Sequence, residues 1–253
     1  MYNICVFGGT TEGRELVEFL SAQPCNVTAC VVTDYAQSLL PASGHVTVSA
    51  KKLPAGEIAA MLLSQRFDLV VDATHPFATL ASDNIRAASL AVGARCLRLA
   101  RPVEALPKGV VPVASIACAA RFLSENPGRV LLTTGSKELA PYTRVADFAE
   151  RFFVRVLPLP GAITKCIDAG FSPSHVIGMQ GPFTRELNEA MLRQVGAQWL
   201  VTKDSGTVGG TAEKLAAARA VGARCIVVAR PAEGGGALSL REVEDVLLRE
   251  FAR

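Results

Sequence analysis

Short apolar runs alternate with segments of helical period along the whole chain. Eleven runs are rich in β-branched residues and lack regular polar alternation, which indicates parallel strands buried on both faces. The predicted strands are Asn3–Phe7, Asn26–Val32, His45–Val48, Leu69–Asp72, Arg95–Leu99, Val110–Val113, Val130–Thr133, Phe152–Val156, His175–Met179, Trp199–Thr202 and Cys225–Ala229.

The segments between these strands carry apolar residues at the spacing of an amphipathic helix. We expect Thr11 to cap the first helix, and the segment from Ser239 to Glu242 forms a capping box for the last. The predicted buried faces consist of Gly13, Leu16, Val17 and Leu20; of Phe77, Leu80, Ala81, Ile85, Ala88 and Val92; of Leu187, Ala190, Met191 and Val195; and of Leu240, Val243 and Leu247.

The alternation of strands and helices predicts an α/β fold with helices on both faces of parallel sheets. Eleven strands are more than a single open sheet usually contains. The segment from Arg101 to Gly109 has the composition of a linker. We therefore predict two open, mainly parallel, Rossmann-like sheets with a cleft between two domains. The first domain covers residues 1–101 and binds a dinucleotide, and the second covers residues 102–253.

Composition narrows the classes of function. Of the 253 residues, 50% are hydrophobic and 19% are charged, so the chain can bury a core rather than remain disordered. Its apolar stretches are shorter than the about 20 residues that a membrane span needs. The net charge of +3 is spread without long runs, which excludes the basic footprint of a nucleic-acid-binding protein but suits an anionic ligand.

The cysteines and the first residues indicate the compartment. Seven cysteines without a Cys-x-x-Cys pair predict free thiols rather than disulfides or a zinc site. The first strand begins at Asn3 with no basic leader before it, so we expect no signal peptide and a cytoplasmic location.

A glycine-rich turn, Gly8–Arg14, follows the first strand. In the pattern G-x-G-x-x-G, Gly8 takes the first place and Gly13 the third, while Thr10 replaces the second glycine. A plain βα turn without a ligand is the alternative, but a strand before the turn and a helix after it favour phosphate binding. We expect the hydroxyls of Thr10 and Thr11 to donate to a pyrophosphate. The predicted cofactor-binding residues of this turn are Gly8, Gly9, Thr10, Thr11 and Arg14.

The end of the second strand would contact a ribose. Thr33 and Asp34 compete for the place of the acidic residue that accepts from an NAD ribose. Arg14, Lys51 and Lys52 are basic candidates for the 2′-phosphate of NADP. From these residues alone, the cofactor could be either NAD or NADP.

A single histidine follows the fourth strand in the segment Asp72–Phe77. A lone histidine is more often a packed or capping residue than a catalyst. The carboxyl end of a strand beside the expected cofactor makes His75 a catalytic candidate as well, with Thr74 as a cofactor contact.

Three strand ends in the second half of the chain are polar and carry glycine. They begin at Thr133, Met179 and Thr202, and on one sheet they would line a single crevice that attracts carboxylates or phosphates. The alternative is that Lys137 and Lys203 are solvated surface charges. The predicted substrate-binding residues are Ser136, Lys137, Gln180, Lys203, Asp204, Ser205 and Gly206.

These segments together resemble the precorrin-6A reductase family of cobalamin (vitamin B12) biosynthesis, which includes cobalt-precorrin-6A reductases. The resemblance covers nearly the full chain in the correct order, so it is far more specific than the glycine turn. The matching segments are Gly8–Arg14, Asp72–Ala78, Thr134–Leu139, Gln180–Phe183, Thr202–Gly206, Gly209-Gly210 and Glu213-Lys214.

The resemblance implies an NADPH-dependent oxidoreductase that acts on a CH–CH group. Hydride from NADPH would reduce a double bond of precorrin-6A, a polycarboxylate tetrapyrrole, to give precorrin-6B. Neighbouring enzymes of the pathway are the implied partners, with no nucleic acid, membrane or metal involved. His75 and Lys203 are candidate proton donors or orienting groups, and water is a third candidate donor. The sequence does not separate the metal-free from the cobalt-containing substrate.

Two other functions remain open at this point. A non-catalytic dinucleotide-binding sensor needs the glycine turn but not the three polar loops of the second half. A tetrapyrrole methyltransferase of the same pathway would bind adenosylmethionine and show no dependence on nicotinamide.

Overall fold

The computed structural model describes residues 1–100, 106–205, 210–231 and 236–252. The chain forms two units, one of Met1–Pro102 with Pro231–Arg253 and one of Val103–Arg230. Each unit contains one sheet in which all strands are parallel, as the sequence predicts.

The first unit has a five-stranded sheet in the order β3-β2-β1-β4-β5. The order reverses at β1, and in such sheets a ligand binds outside the carboxyl ends of the strands near that point. The strands are β1 (Tyr2–Phe7), β2 (Cys25–Val31), β3 (Val46–Ala50), β4 (Leu69–Asp72) and β5 (Cys96–Arg98). The helices are α1 (Thr11–Ser21), α2 (Asp34–Ser38), α3 (Ala55–Gln65), α4 (Thr79–Val92) and, from the end of the chain, α10 (Leu240–Phe251).

Helices cover both faces of this sheet. Leu16 and Leu20 of α1 pack with Val243 and Leu247 of α10 on one face. The other face packs against α3 and α4, for example through Ile58. Burial on both faces explains why these strands read as continuous apolar runs.

The assignment of residues 231–253 to the second domain was wrong. Val243 and Leu247 are fully buried in the core of the first unit, and Leu238 pairs with Leu99. The spacing of apolar residues shows which face of a helix is buried but not which sheet the helix packs against. Sequence order alone therefore places α10 in the second domain, beside the elements that precede it.

The second unit has a six-stranded sheet in the order β6-β11-β10-β7-β8-β9. Its strands are β6 (Val110–Val113), β7 (Val130–Leu132), β8 (Phe152–Val156), β9 (Val176–Gly178), β10 (Trp199–Lys203) and β11 (Arg224–Val228). Its helices are α5 (Ile116–Glu125), α6 (Phe148–Arg151), α7 (Pro160–Asp168), α8 (Arg185–Val195) and α9 (Thr211–Val221), with short 3-10 helices at Tyr142–Arg144 and Pro173–His175. The six predicted strands are all observed, as are the five of the first unit.

Several local predictions need correction. The N-cap of α1 is Thr10, whose hydroxyl accepts from the Gly13 N–H, and Thr11 is the first helical residue. The predicted face residues Leu80 and Leu187 are exposed, because α4 and α8 bury narrower stripes than their sequences suggest. The capping box at Ser239 is confirmed.

The cysteines of the structure are free thiols, and Cys118 is exposed rather than buried in an apolar run. Burial raises the pKa of the Cys225 thiol to about 12, as expected for a thiol that packs as a small hydrophobic group. Within the described ranges, no helix is both long and apolar enough to cross a membrane.

Candidate functional site

The turn after β1 is built for close approach of a ligand to the backbone. The Gly8 N–H donates to the Cys30 carbonyl at 2.8 Å, which ties the turn to β2. Gly9 has φ +130°, and a Cβ there would meet no atom within 4 Å. A side chain is therefore excluded at Gly9 by backbone conformation, while the space beside it is open. At Gly13, a Cβ would lie 3.0 Å from the Ala73 Cβ, so this glycine lets α1 pack closely against the end of β4.

The predicted role of the Thr10 hydroxyl as a phosphate donor is not supported. Thr10 Oγ1 donates to the Ala73 carbonyl at 3.0 Å and accepts from the Gly13 N–H at 3.0 Å. Its proton is therefore committed to the protein. Thr11 begins α1, where free backbone N–H groups and the helix dipole can bind an anion.

A pocket lies at the carboxyl edge of this sheet, beside Gly8. Apolar side chains form its interior, and Lys51, Lys52 and Thr74 stand among the lining residues. Thr33 lies at the start of α2, where its hydroxyl accepts from the Ala36 N–H at 3.1 Å. Arg14 is half-exposed and forms an ion pair with Glu18 at 3.4 Å. The lining residues are Phe7, Gly8, Cys30, Val31, Val32, Lys51, Lys52, Leu53, Ile58, Thr74, Ala81 and Ile85.

A buried network fixes the loop after β4. Asp72 Oδ1 accepts from the Thr74 N–H at 3.0 Å, from the Thr74 hydroxyl at 2.7 Å and from Arg98 Nη1 at 2.8 Å. The Thr74 hydroxyl also lies 3.0 Å from Ser82 Oγ. These contacts hold the pocket residue Thr74 against both the sheet and α4.

His75 follows this network and is half-buried. Its Nδ1 accepts from the Phe77 N–H at 3.2 Å. With Nδ1 as an acceptor, the neutral imidazole carries its proton on Nε2. The hydrogen bond from Phe77 occupies only Nδ1 of His75, so this geometry is compatible with both a packed role and a catalytic role.

The carboxyl edge of the second sheet brings two of the three predicted loops together. β10 lies beside β7, and Lys203 Nζ forms an ion pair with Glu138 Oε2 at 2.9 Å. Lys137 and Ser136 lie in the same loop as Glu138, and Lys137 is exposed. Gln180 follows β9, two strands from β7 at the other end of the sheet, and is exposed. The structure therefore brings the Lys137 and Lys203 loops together, whereas Gln180 lies apart from them.

Two further predicted binding residues have partners in the protein. Asp204 forms a buried ion pair with Arg230 at 3.0 Å. Ser205 is buried, and its N–H donates to Thr211 Oγ1 at 3.2 Å, which fastens the end of β10 to the start of α9. Both residues shape the loop, and these contacts within the protein compete with direct binding of a ligand. The predicted residue Gly206 lies outside the described residues.

An apolar surface that the sequence did not predict lies beside Gln180. Leu157, Leu159 and Met179 are all exposed where β8 and β9 end, and Ile163 follows one turn into α7. The alternation Leu157-Pro158-Leu159-Pro160 directly after a strand was the available signal.

Two buried cations, Arg155 of β8 and Lys214 of α9, were not predicted as site residues either. Burial lowers the pKa of Arg155 to about 10. Burial, followed by the positive charge of Arg155, lowers the pKa of Lys214 to about 8, and Glu213 opposes that shift. Lys214 belonged to a matching motif, but no pattern signalled that Arg155 is buried. Among the described residues, no group of three or more His, Cys, Asp and Glu side chains could hold a metal ion.

Comparison with known proteins assigns these features to one family. The profile of the family described as "Precorrin-6x reductase CbiJ/CobK" matches residues 3–249. The cobalt-precorrin-6A reductase of Salmonella typhimurium is 35% identical over 236 residues, covering 90% of this chain and 88% of the relative. That of Methanothermobacter thermautotrophicus is 35% identical over 233 residues, covering 90% and 76%. A solved structure of CobK precorrin-6A reductase has a TM-score of 0.75 and 26% identity, covering 98% of this chain and 97% of that one.

Proposed function

Because the chain belongs to the precorrin-6x reductase family of cobalamin-pathway oxidoreductases, we propose that it reduces precorrin-6A to precorrin-6B with a hydride from NADPH. The observation that carries the proposal is the family match over residues 3–249, together with the pocket beside Gly8. Membership in a reductase family favours this function over a methyltransferase or a non-catalytic sensor.

The residues of the first unit fit a nicotinamide dinucleotide. The open space at Gly9 and the start of α1 suit a pyrophosphate, and the apolar pocket suits a nucleoside. Lys51 and Lys52 border that pocket and suit a 2′-phosphate, which is why we propose NADPH rather than NADH. When bound, the cofactor supplies a hydride to one carbon of the substrate double bond.

The second carbon of the double bond must receive a proton. His75 can hold a proton on Nε2, since its Nδ1 is occupied by the Phe77 N–H. Lys203 is held by Glu138, an arrangement that suits electrostatic attraction of a carboxylate more than proton donation. Because a neutral imidazole is too weak an acid to protonate carbon, we propose that water supplies the proton and that His75 orients it through Nε2. The binding of acidic side chains is assigned to Lys203 and Lys137.

The second unit fits a tetrapyrrole with acidic side chains. Lys137 and Lys203 can pair with acetate and propionate groups on the rim of the macrocycle. The exposed side chains of Leu157, Leu159 and Met179 offer apolar contact for its faces.

The decisive experiment follows NADPH oxidation with metal-free and with cobalt-containing precorrin-6A in parallel. We expect one substrate to gain two hydrogens by mass, with one NADPH consumed for each product. Adenosylmethionine should not bind. Failure of both substrates to oxidise NADPH, with a folded protein, would overturn the proposed function.

Replacing Lys51 and Lys52 together with alanine should weaken NADPH binding about tenfold and leave NADH binding unchanged, as expected for a charge-assisted contact to the 2′-phosphate. Fluorescence titration of the two cofactors measures this. Lys165→Ala, which removes an exposed charge on α7 of the second unit, is the control. An equal loss of NADH affinity in the double variant would show that these lysines do not read the 2′-phosphate.

Replacing Lys203 with alanine should raise the KM for the substrate about ten- to a hundredfold while NADPH affinity stays near wild type. Added salt should reproduce part of the loss in the wild type. Glu138→Gln is the matched variant, because it removes the carboxylate that pairs with Lys203 but keeps the ammonium, and it should not raise KM. Wild-type kinetics of Lys203→Ala at low salt would place the substrate elsewhere.

A further inference from the structure

Two thiols lie beside each other on the first two strands. The Sγ atoms of Cys5 on β1 and Cys30 on β2 are 4.0 Å apart, and the S–H of one donates to the sulfur of the other. Cys5 is fully buried and Cys30 is 5% exposed. Both belong to the core that packs against α3 and α4, where they lie with Ile58 and Ile85. The two cysteines are 25 positions apart in the chain, so no pattern in the sequence indicated that they meet.

Cys30 differs from Cys5 because it borders the pocket beside Gly8. It is one of the residues that line this pocket, so a small molecule that enters the pocket reaches Cys30 before Cys5. The carbonyl of Cys30 also accepts the N–H of Gly8 at 2.8 Å, which ties the residue to the glycine turn. A chemical change at Cys30 therefore acts on two parts of the proposed cofactor site, the wall of the pocket and the turn.

The contact with Cys5 favours the reactive form of Cys30. The hydrogen bond from Cys5 lowers the pKa of the Cys30 thiol, and burial opposes this shift. The same hydrogen bond and burial raise the pKa of Cys5, so Cys5 keeps its proton. The thiolate is the form of cysteine that attacks oxidants. Cysteines that sense oxidants combine a lowered pKa, access for the oxidant and a second cysteine nearby, and Cys30 has this combination.

We propose that Cys30 is an oxidation site at which hydrogen peroxide joins Cys30 to Cys5 in a disulfide, and that this bond closes the pocket to the cofactor. The thiolate of Cys30 attacks one oxygen of the peroxide, the O–O bond breaks, and a sulfenic acid and hydroxide form. The sulfur of Cys5 then attacks the sulfur of the sulfenic acid, the S–O bond breaks, and the hydroxyl group leaves with the Cys5 proton as water. The two thiols together lose two electrons and two protons, which convert one peroxide into two molecules of water.

The new bond would move the glycine turn. An S–S bond is about 2 Å long, so the two sulfur atoms must approach by about 2 Å from their present distance of 4.0 Å. Cys30 pairs in register with Phe7, the residue directly before Gly8, so this movement acts where β1 enters the turn. The effect on NADPH rests on the proposed function, whereas formation of the disulfide does not.

The experiment treats the full-length protein with hydrogen peroxide, with and without bound NADPH, and then with dithiothreitol. Peptide mass spectrometry measures the disulfide between Cys5 and Cys30, and fluorescence titration measures the affinity for NADPH. Cys5→Ala removes the second thiol, and Cys30→Ser removes the thiol at the pocket. Cys118→Ser is the matched control, because Cys118 is an exposed thiol of the second unit.

We expect the wild type and Cys118→Ser to form the disulfide and then to bind NADPH at least about tenfold more weakly, with recovery in dithiothreitol. NADPH at about ten times its dissociation constant should slow the oxidation about tenfold, because the bound cofactor covers the pocket. Cys5→Ala should accumulate a sulfenic acid on Cys30 that dimedone traps, and Cys30→Ser should form neither product.

Two results would overturn the proposal. One is a wild type that forms no disulfide under conditions that oxidise Cys118. The other is a disulfide that leaves the affinity for NADPH within about twofold of the reduced protein. A disulfide in a protein that binds no NADPH even when reduced would instead contradict the proposed function, while the oxidation site is supported.

Discussion

Lys214→Met is expected to make the protein more stable at pH 7, by about 3 kcal/mol. The pKa of Lys214 is lowered from 10.5 to about 8 by burial and by the charge of Arg155, with Glu213 opposing. Since a tenfold weaker hold on the proton corresponds to about 1.4 kcal/mol, this lowering measures how strongly the fold disfavours the charged amine. A neutral side chain of similar length avoids that penalty.

The difference in stability between Lys214→Met and the wild type is expected to depend on pH. Below about pH 8 the amine is charged in both the folded and the unfolded chain, so the penalty is fully present. Between about pH 8 and 10.5 the folded protein has released the proton while the unfolded chain still holds it, so the wild type gains stability as pH rises. Melting temperatures of Lys214→Met and wild type should therefore differ most at pH 7 and converge towards about pH 10. A constant difference across this range, or destabilisation at pH 7, would contradict the assignment.

Asp72→Ala is expected to destabilise the first unit by about 3 kcal/mol, which corresponds to roughly 10 °C in melting temperature. Asp72 is 4% exposed, and its carboxylate accepts from Arg98 and from both donors of Thr74, so its removal breaks three hydrogen bonds of a largely buried network. Because Thr74 lines the pocket to which we assign NADPH, the affinity for NADPH should fall as well.

The exposed ion pair of Asp83 and Arg86 provides the control for this prediction. Its distance of 2.7 Å is as short as the contacts of Asp72, but both side chains are mostly exposed. Asp83→Ala should leave melting temperature and NADPH affinity unchanged, because exposed ion pairs are weak. Equal effects of Asp72→Ala and Asp83→Ala in thermal melts would show that the Asp72 network does not support the pocket.

The strands could be predicted because burial on both faces leaves a local signal, a continuous β-branched run. The roles of the glycines in the first turn could also be predicted, because a tight turn and a close helix contact each require a residue without a side chain. The roles of Thr10 and Lys203 could not be read in the same way. Their partners Ala73 and Glu138 are 63 and 65 residues away, and a residue type does not reveal whether its hydrogen bonds are already made.

The same limit applies more strongly to the buried cations Arg155 and Lys214. They lie on β8 and α9, and a single arginine in an apolar run has no periodic signature.

The helix α10 follows the second unit in the chain but packs against the sheet of the first unit. This arrangement affects the order in which the two units can fold during synthesis. The second unit is one continuous segment, Val103–Arg230, whereas the first unit is interrupted by it. Val243 and Leu247, which complete the core beside Leu16 and Leu20, emerge from the ribosome after the entire second unit. Domains otherwise fold in the order in which they are made. Here the sheet that follows the glycine turn completes its core only after the second unit has been made, so the second unit can fold before the first.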